Sequence, residues 1–378
     1  MLQATLKNNV RRSFTGTVSN QPPSATVNAS LNAGVITGSY TYSDGQSDLE
    51  ENQKPVVRNA YITGDLRQGQ TLTANYTYFS LHGYAFASVN YQWYRADNKG
   101  GEFNINNPLT LIGGATNSTY VLQAADVGKY IFCRIQVTQT GGGNTSSEYV
   151  YCYTQKIYSN AFTPTEIPFA IALLPANMSD NGTTFTWTNS GTKGGSLTAT
   201  GTARPSIVGS KADFVTDDRI TGNILPLSTG RYEIWIRVRR DTITSQQRPY
   251  VLGSDSKSML NTTGTPKKVR FSSTTQNDTS GTPALDNTER IYRVIFNGVG
   301  GATIQVDKNL VNDTYYINES FTGQNNTGLV ENQTLVLGSN LAGSGSFLDG
   351  TIDHFYIYPN GELTAIEADF MWEYIQNN

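Results

Sequence analysis

Histidine and cysteine are nearly missing from this chain of 378 residues, which holds two of each: His82, His354, Cys133 and Cys152. None of them falls at the spacing of a structural zinc site, which argues against a zinc enzyme. Charge is scarce as well. Only 15% of residues are charged, and 27 Lys and Arg nearly balance 30 Asp and Glu, leaving a formal net charge of −3. Such a chain has no strong field of one sign, so nucleic-acid binding is not expected. Long apolar runs are also lacking. The longest, Ile167 to Ala176, is too short to span a bilayer, so no membrane insertion is expected, and residues 1–16 lack the apolar core of a secretory signal. What the chain has in quantity is 36 Gly, 22 Tyr and 15 Phe, amid abundant Asn, Thr and Ser. This mixture of aromatic, β-branched and turn-forming residues predicts an all-β protein.

Polar, Pro-bearing breaks near Glu51–Pro55 and Tyr158–Pro168 divide the chain into three expected parts: residues 1–54, 55–157 and 158–378. The first reads as an extended attachment arm with a hairpin. Its Leu31–Gly34 and Tyr40–Tyr42 partly repeat Leu66–Gly69 and Tyr76–Tyr78. The second carries strand signals at 70–78, 90–95, 119–122, 129–138 and 147–156. A hairpin turning about Gly141–Gly143 pairs positions whose numbers sum to about 285, which sets Cys133 opposite Cys152. The pair reads as a candidate disulfide or as two small apolar core residues.

In the third part, Arg231–Arg240 alternates, with Tyr232, Ile234, Ile236 and Val238 on one face as core. Further strands are expected at 183–189, 267–272, 291–297, 302–307, 334–338 and 351–358, enough for two packed sheets. Thr364-Ala-Ile-Glu367 forms a capping box that opens a short C-terminal helix, with Ile366, Phe370 and Tyr374 on the docking face.

Two resemblances sharpen the fold. Gly69-Gln-Thr-Leu-Thr-Ala, Tyr91-Gln-Trp-Tyr-Arg, Gly114–Leu122 and Ala125-Asp-Val-Gly-Lys-Tyr130, in that order, resemble the immunoglobulin-like modules of bacterial and phage surface proteins. Trp93 would anchor the core and Tyr130 would form the tyrosine corner, although no cysteine stands where the inter-sheet bridge of antibody domains would begin. Tyr232–Arg237, Tyr292–Phe296 with Ile304–Lys308, and Phe347–Tyr358 with Leu363–Glu367 resemble the laminin-G-like, concanavalin A-like jelly roll. That second resemblance weakens between Ser254 and Arg290, where a variable loop is expected.

Chemistry leaves few candidates. Glu367, Asp369 and Glu373 are the nearest thing to glycosidase carboxylates, but helical spacing does not aim them together. No nucleophile elbow or phosphate loop occurs, and Gly298–Gly301 reads as a hairpin turn. Asp217-Asp218 is a candidate calcium site, as is the pair Asp44 and Asp48, with a solvated turn as the other reading of each. Trp187, Tyr315 and Tyr316 are candidate sugar-stacking rings, with core packing as the alternative.

The resemblances imply a non-enzymatic virion surface protein of a tailed bacteriophage, assembled in the host cytoplasm and present in many copies or as a homo-oligomer. It would attach to capsid or tail proteins through its N-terminal arm and display a lectin-like domain toward cell-surface glycans. The alternatives are a bacterial surface adhesin or carbohydrate-binding module, and a polysaccharide hydrolase.

Overall fold

Alternating apolar positions produce strands as the dominant regular structure among the described residues. The computed structural model describes residues 25–32, 35–42, 54–99, 108–142, 144–228, 230–241, 245–255, 257–261, 269–272, 277–278, 287–325 and 328–378. Two units divide the chain, residues 1–157 and 158–378. Both are all-β and antiparallel apart from one C-terminal helix and short 3-10 turns. Of the expected attachment arm, residues 1–24, 33–34 and 43–53, including Asp44 and Asp48, lie outside the described residues.

The first unit begins with a separate hairpin, β1 (Ala25–Asn32) with β2 (Val35–Tyr42). A three-stranded sheet follows, in the order β3 (Val56–Thr63), β4 (Thr71–Phe79), β7 (Thr119–Val121). The second sheet has four strands, ordered β6 (Thr110–Leu111), β5 (Phe86–Ala96), β8 (Tyr130–Gln139), β9 (Val150–Lys156). Trp93 is the anchor between them. It is fully buried, stacks on Tyr120 of β7 at 5.6 Å and donates from Nε1 to the Asn117 carbonyl at 2.8 Å.

The corner hydrogen bond differs from expectation. Tyr120, not Tyr130, donates its hydroxyl to buried Asp126 at 2.7 Å, and Arg95 neutralises the other carboxylate oxygen at 2.9 Å. An aspartate that is wholly buried requires such partners. Cys133 and Cys152 do face each other in register; both thiols are free and buried, and the Cys152 thiol donates to the Cys133 carbonyl at 3.7 Å.

In the second unit the pairing path of one folded sheet starts at β20 (Asn277–Asp278), β19 (Val269–Ser272), β18 (Ser258–Asn261) and β17 (Tyr250–Leu252). It continues through β24 (Leu335–Leu337), β15 (Ile220–Gly222), β12 (Ser196–Thr200), β11 (Thr184–Asn189) and β10 (Ile171–Asp180). It ends with β25 (Gly350–Pro359), β16 (Arg231–Arg240), β21 (Glu289–Asn297), β22 (Val299–Asn309) and β23 (Thr314–Asn325). β13 (Ser206–Val208) and β14 (Lys211–Phe214) pair beside β25.

β10 joins the two halves. Its register breaks between Leu173 and Met178, around Pro175, so its first residues pair with β25 and its last with β11. Proline removes a ladder donor and favours such a bend. The halves then close on one core, where Tyr250 of β17 meets Phe355 of β25 at 5.7 Å. The stretch expected to be a variable loop contributes β18 to β20, and the turn expected over Gly298–Gly301 tightens to Gly298 at φ +82°.

β16 is buried on both faces, because its second face is covered by the helix α1 (Ala365–Asn377). Trp235 meets Trp372 at 4.9 Å, with Phe370, Met371 and Ile375 buried beside it and Ile366 and Tyr374 half-buried at the margin. The Tyr158–Pro168 stretch is therefore not an open linker, since Tyr158 and Ile167 pack under the helix and the Tyr158 ring meets Phe370 at 5.1 Å.

Charged residues under the helix are paired. Arg237 grips Asp353 with Nε and Nη2 at 2.6–3.0 Å and donates to the Ile375 carbonyl of α1, while His354 Nδ1 lies 2.9 Å from Asp353. Glu233 accepts from Trp235, Arg293 and the Leu363 amide, which fixes the approach to the helix.

Candidate functional site

Where β14 and β16 end and β25 begins, three loops surround an open cleft of about 490 Å³ lined by Val215, Thr216, Ser245, Gln247, Ser346, Phe347, Leu348 and Asp349. β25 starts at Gly350, φ +146°, where a Cβ would lie 2.0 Å from the Arg239 carbonyl oxygen. Only glycine allows β25 to pair with β16 right up to the cleft.

The loops are held by short polar contacts. Val215 N–H donates to the Asp218 carboxylate at 2.9 Å, and the Asp218 amide returns to the Val215 carbonyl at 3.0 Å. Arg248 supports the facing loop, donating from its backbone to the Ser346 carbonyl at 2.9 Å and from Nη1 to Ser346 Oγ at 3.1 Å. Asp241 N–H donates to the Asp349 carbonyl at 2.8 Å.

Backbone strain sets this cleft apart. Eight non-glycine residues among those described have positive φ, and six of them are Asn or Asp, the types that tolerate it best. The remaining two are Thr216 at +52° and Ser346 at +54°, and both line the cleft. Left-handed backbone at such residues costs on the order of 1–2 kcal/mol each and gathers at sites whose geometry has a use.

The cleft is polar, with Asp349 as the charged residue of its lining. Asp213, beside it, has its pKa raised by burial and then by the charges of Asp241 and Asp349, with Arg239 opposing. Asp218 is pushed up to about 6, chiefly by burial. Half-buried Phe347 supplies an apolar surface next to the hydroxyls of Thr216, Ser245 and Ser346, the amide of Gln247 and the carboxylate of Asp349.

The residues singled out in the sequence lie elsewhere or act differently. Trp187 is fully buried in the sandwich core and donates from Nε1 to the Leu174 carbonyl at 2.8 Å, so its faces are closed to a ligand. Tyr315 is half-buried against Trp372, with its ring centre 5.7 Å from the Lys308 ammonium. Tyr316 is exposed, with the Arg290 guanidinium 4.3 Å from its ring centre. Neither tyrosine lines the cleft.

Asp217 is exposed and Asp218 buried, and the Asp218 carboxylate fixes the turn that carries Thr216. Among the described residues no group of three His, Cys, Asp or Glu is placed to hold a metal. On the helix, Glu367 caps Thr364 and accepts from Tyr158, while Asp369 pairs with Lys308, so these carboxylates are engaged in docking α1. The cleft itself had no local signature, because its lining comes from three separate segments, residues 215–216, 245–247 and 346–349.

No family model matches the chain, and no curated protein matches it. Solved structures give distant likenesses. Domain 4 of AbnA, a GH43 extracellular arabinanase from Geobacillus stearothermophilus in complex with arabinotriose, is 12% identical over 53% of this chain and 85% of that one, with a TM-score of 0.31. A protein from Bacteroides ovatus described as carbohydrate-binding is 9% identical over 82% and 80%, with a TM-score of 0.27. A mutant GH54 α-L-arabinofuranosidase soaked with 4-nitrophenyl α-L-arabinofuranoside is 12% identical over 77% of this chain and 62% of that one, with a TM-score of 0.30. Likenesses at this level assign no activity or ligand to the present chain.

Proposed function

We propose that this chain is a non-catalytic glycan-binding protein whose ligand occupies the cleft between residues 215–216, 245–247 and 346–349. The observation that carries the reading is the coincidence of Thr216 and Ser346, among the described residues the two non-glycine left-handed positions that are neither Asn nor Asp, in one polar cleft beside Phe347. A sugar offers an apolar C–H face to a ring and hydroxyls to amides and carboxylates, and this lining provides both kinds of partner. The finer reading, a multicopy virion surface protein of a tailed bacteriophage anchored by its N-terminal arm, is supported by the sequence resemblances and is tested by the copy number of the chain on purified particles.

The direct test is a glycan array probed with the full chain, followed by titration of the best ligand. Saturable binding weakened at least tenfold by Phe347→Ala and by Asp349→Asn, with unchanged melting, is expected. Absence of binding by the folded chain, or equal binding by both variants, overturns the assignment to the cleft, and release of reducing sugar overturns the non-catalytic reading.

A further inference from the structure

The four-stranded sheet of the first unit has one face turned to the Trp93 core and one turned outward. Its register aligns two rows on the outward face. The first runs Leu111, Tyr94, Phe132, Tyr153 across β6, β5, β8 and β9; the second runs Gln92, Arg134, Tyr151. Tyr149, just before β9, adds a further ring. A sheet face open to water normally carries polar residues, so this row is informative: Leu111 and Tyr153 are exposed at its two ends, Tyr94 is half-buried and Phe132 between them is buried. Leu111 is 58%, Tyr149 51% and Tyr153 49% exposed.

The rings form a connected layer. Phe132 and Tyr153 lie 5.3 Å apart and Tyr94 and Tyr151 6.3 Å apart, while the Arg134 guanidinium sits 4.3 Å from the Tyr149 ring centre and 5.7 Å from that of Tyr94. Arg134 thus lies against two aromatic rings, and among the described residues no carboxylate pairs with it. Rings that immobilise a guanidinium leave its N–H edge ready for a planar anion, with little ordering cost on binding.

We infer that this face is a second binding surface, independent of the cleft, for a polysaccharide whose sugars carry carboxylates. Pyranose C–H faces stack on Tyr94, Tyr149, Tyr151 and Tyr153, and a uronate or sialate carboxylate meets Arg134. A second copy of this chain fits less well. A two-fold contact would bring two of these faces together, and neither row contains an acid to meet the opposing Arg134. An acidic polypeptide would satisfy the arginine, but a flat pleated layer of rings offers planes rather than an anchor pocket for side chains.

The test titrates the full chain with sodium polygalacturonate and with hyaluronate, using methyl-esterified polygalacturonate and poly-L-glutamate as controls. Saturable binding to at least one acidic polysaccharide is expected. It should weaken at least tenfold with Arg134→Gln and with Tyr153→Ala, weaken with added salt and with esterification, and stay unchanged with Phe347→Ala. Melting curves establish that each variant is folded. If neither acidic polysaccharide binds, or Arg134→Gln binds equally well, the inference is overturned. Loss with Phe347→Ala alone moves the ligand to the cleft, and preference for poly-L-glutamate replaces the glycan with an acidic protein partner.

Discussion

The Asp218 carboxylate accepts the amide proton of Val215 at 2.9 Å and so holds the turn in which Thr216 adopts a left-handed conformation. Asp218, for which the sequence offered either a calcium ligand or a turn residue, holds a turn beside the cleft.

That position has a pH signature. Burial raises Asp218 from 3.8 to about 6, so the folded chain binds this proton more tightly than the unfolded chain does. Its contribution favours folding below pH 4 and is lost as pH rises through about 6, by about 3 kcal/mol at most. Urea denaturation of wild type and Asp218→Asn between pH 4 and 7 should show the variant gaining relative stability as pH rises. Parallel curves would place the titration elsewhere.

Relieving the strain should stabilise the fold and impair the site. Thr216→Gly and Ser346→Gly accept φ near +50° freely, so each is expected to raise stability by about 1 kcal/mol in scanning calorimetry. Glycan affinity should fall in both, because a lining hydroxyl is lost and the loop is less constrained.

Trp372 is the largest side chain that α1 buries, and it contacts both Trp235 and Tyr315. Trp372→Ala should cost about 3–5 kcal/mol in denaturant unfolding. A smaller loss would mean that the helix is held chiefly by its polar contacts.

Arg237, Asp353 and His354 form a buried charged group. For Asp353, burial is opposed and outweighed by the His354 and Arg237 interactions, which bring it down to about 2, so its contribution is full above 3.8 and lost as pH falls toward 2. His354 is lowered from 6.5, chiefly by burial, so stability is also lost as pH drops below 6.5 through its folded value. Arg237→Leu should cost up to about 3–5 kcal/mol, since it leaves buried Asp353 with only the more distant Lys211 ammonium, 3.5 Å away, as its cation. The double variant Arg237→Leu/Asp353→Leu should recover part of that loss at pH 7.

Much of the fold was legible because strands declare themselves at two-residue spacing. The segments expected at 129–138, 291–297 and 351–358 appear as 130–139, 289–297 and 350–359. The turn arithmetic set Cys133 against Cys152 as the register has them. For Trp187 the sequence left sugar stacking and core packing open, because composition does not tell an inward ring from an outward one, and the structure takes the core. The cleft escaped notice for two physical reasons: its lining converges only through tertiary folding, and a left-handed Thr or Ser carries no mark in the sequence, whereas Gly and Asn do.

The double burial of β16 reaches beyond packing, into which substitutions the strand can absorb. A strand with one wet side accepts change at every second position, but here only Arg231 is exposed and Arg239 half-buried. Saturation mutagenesis of Arg231–Arg240 would therefore lose the two-residue rhythm and show near-continuous intolerance. The positions that look most expendable on paper, Glu233 and Arg237, would rank with the aliphatic core.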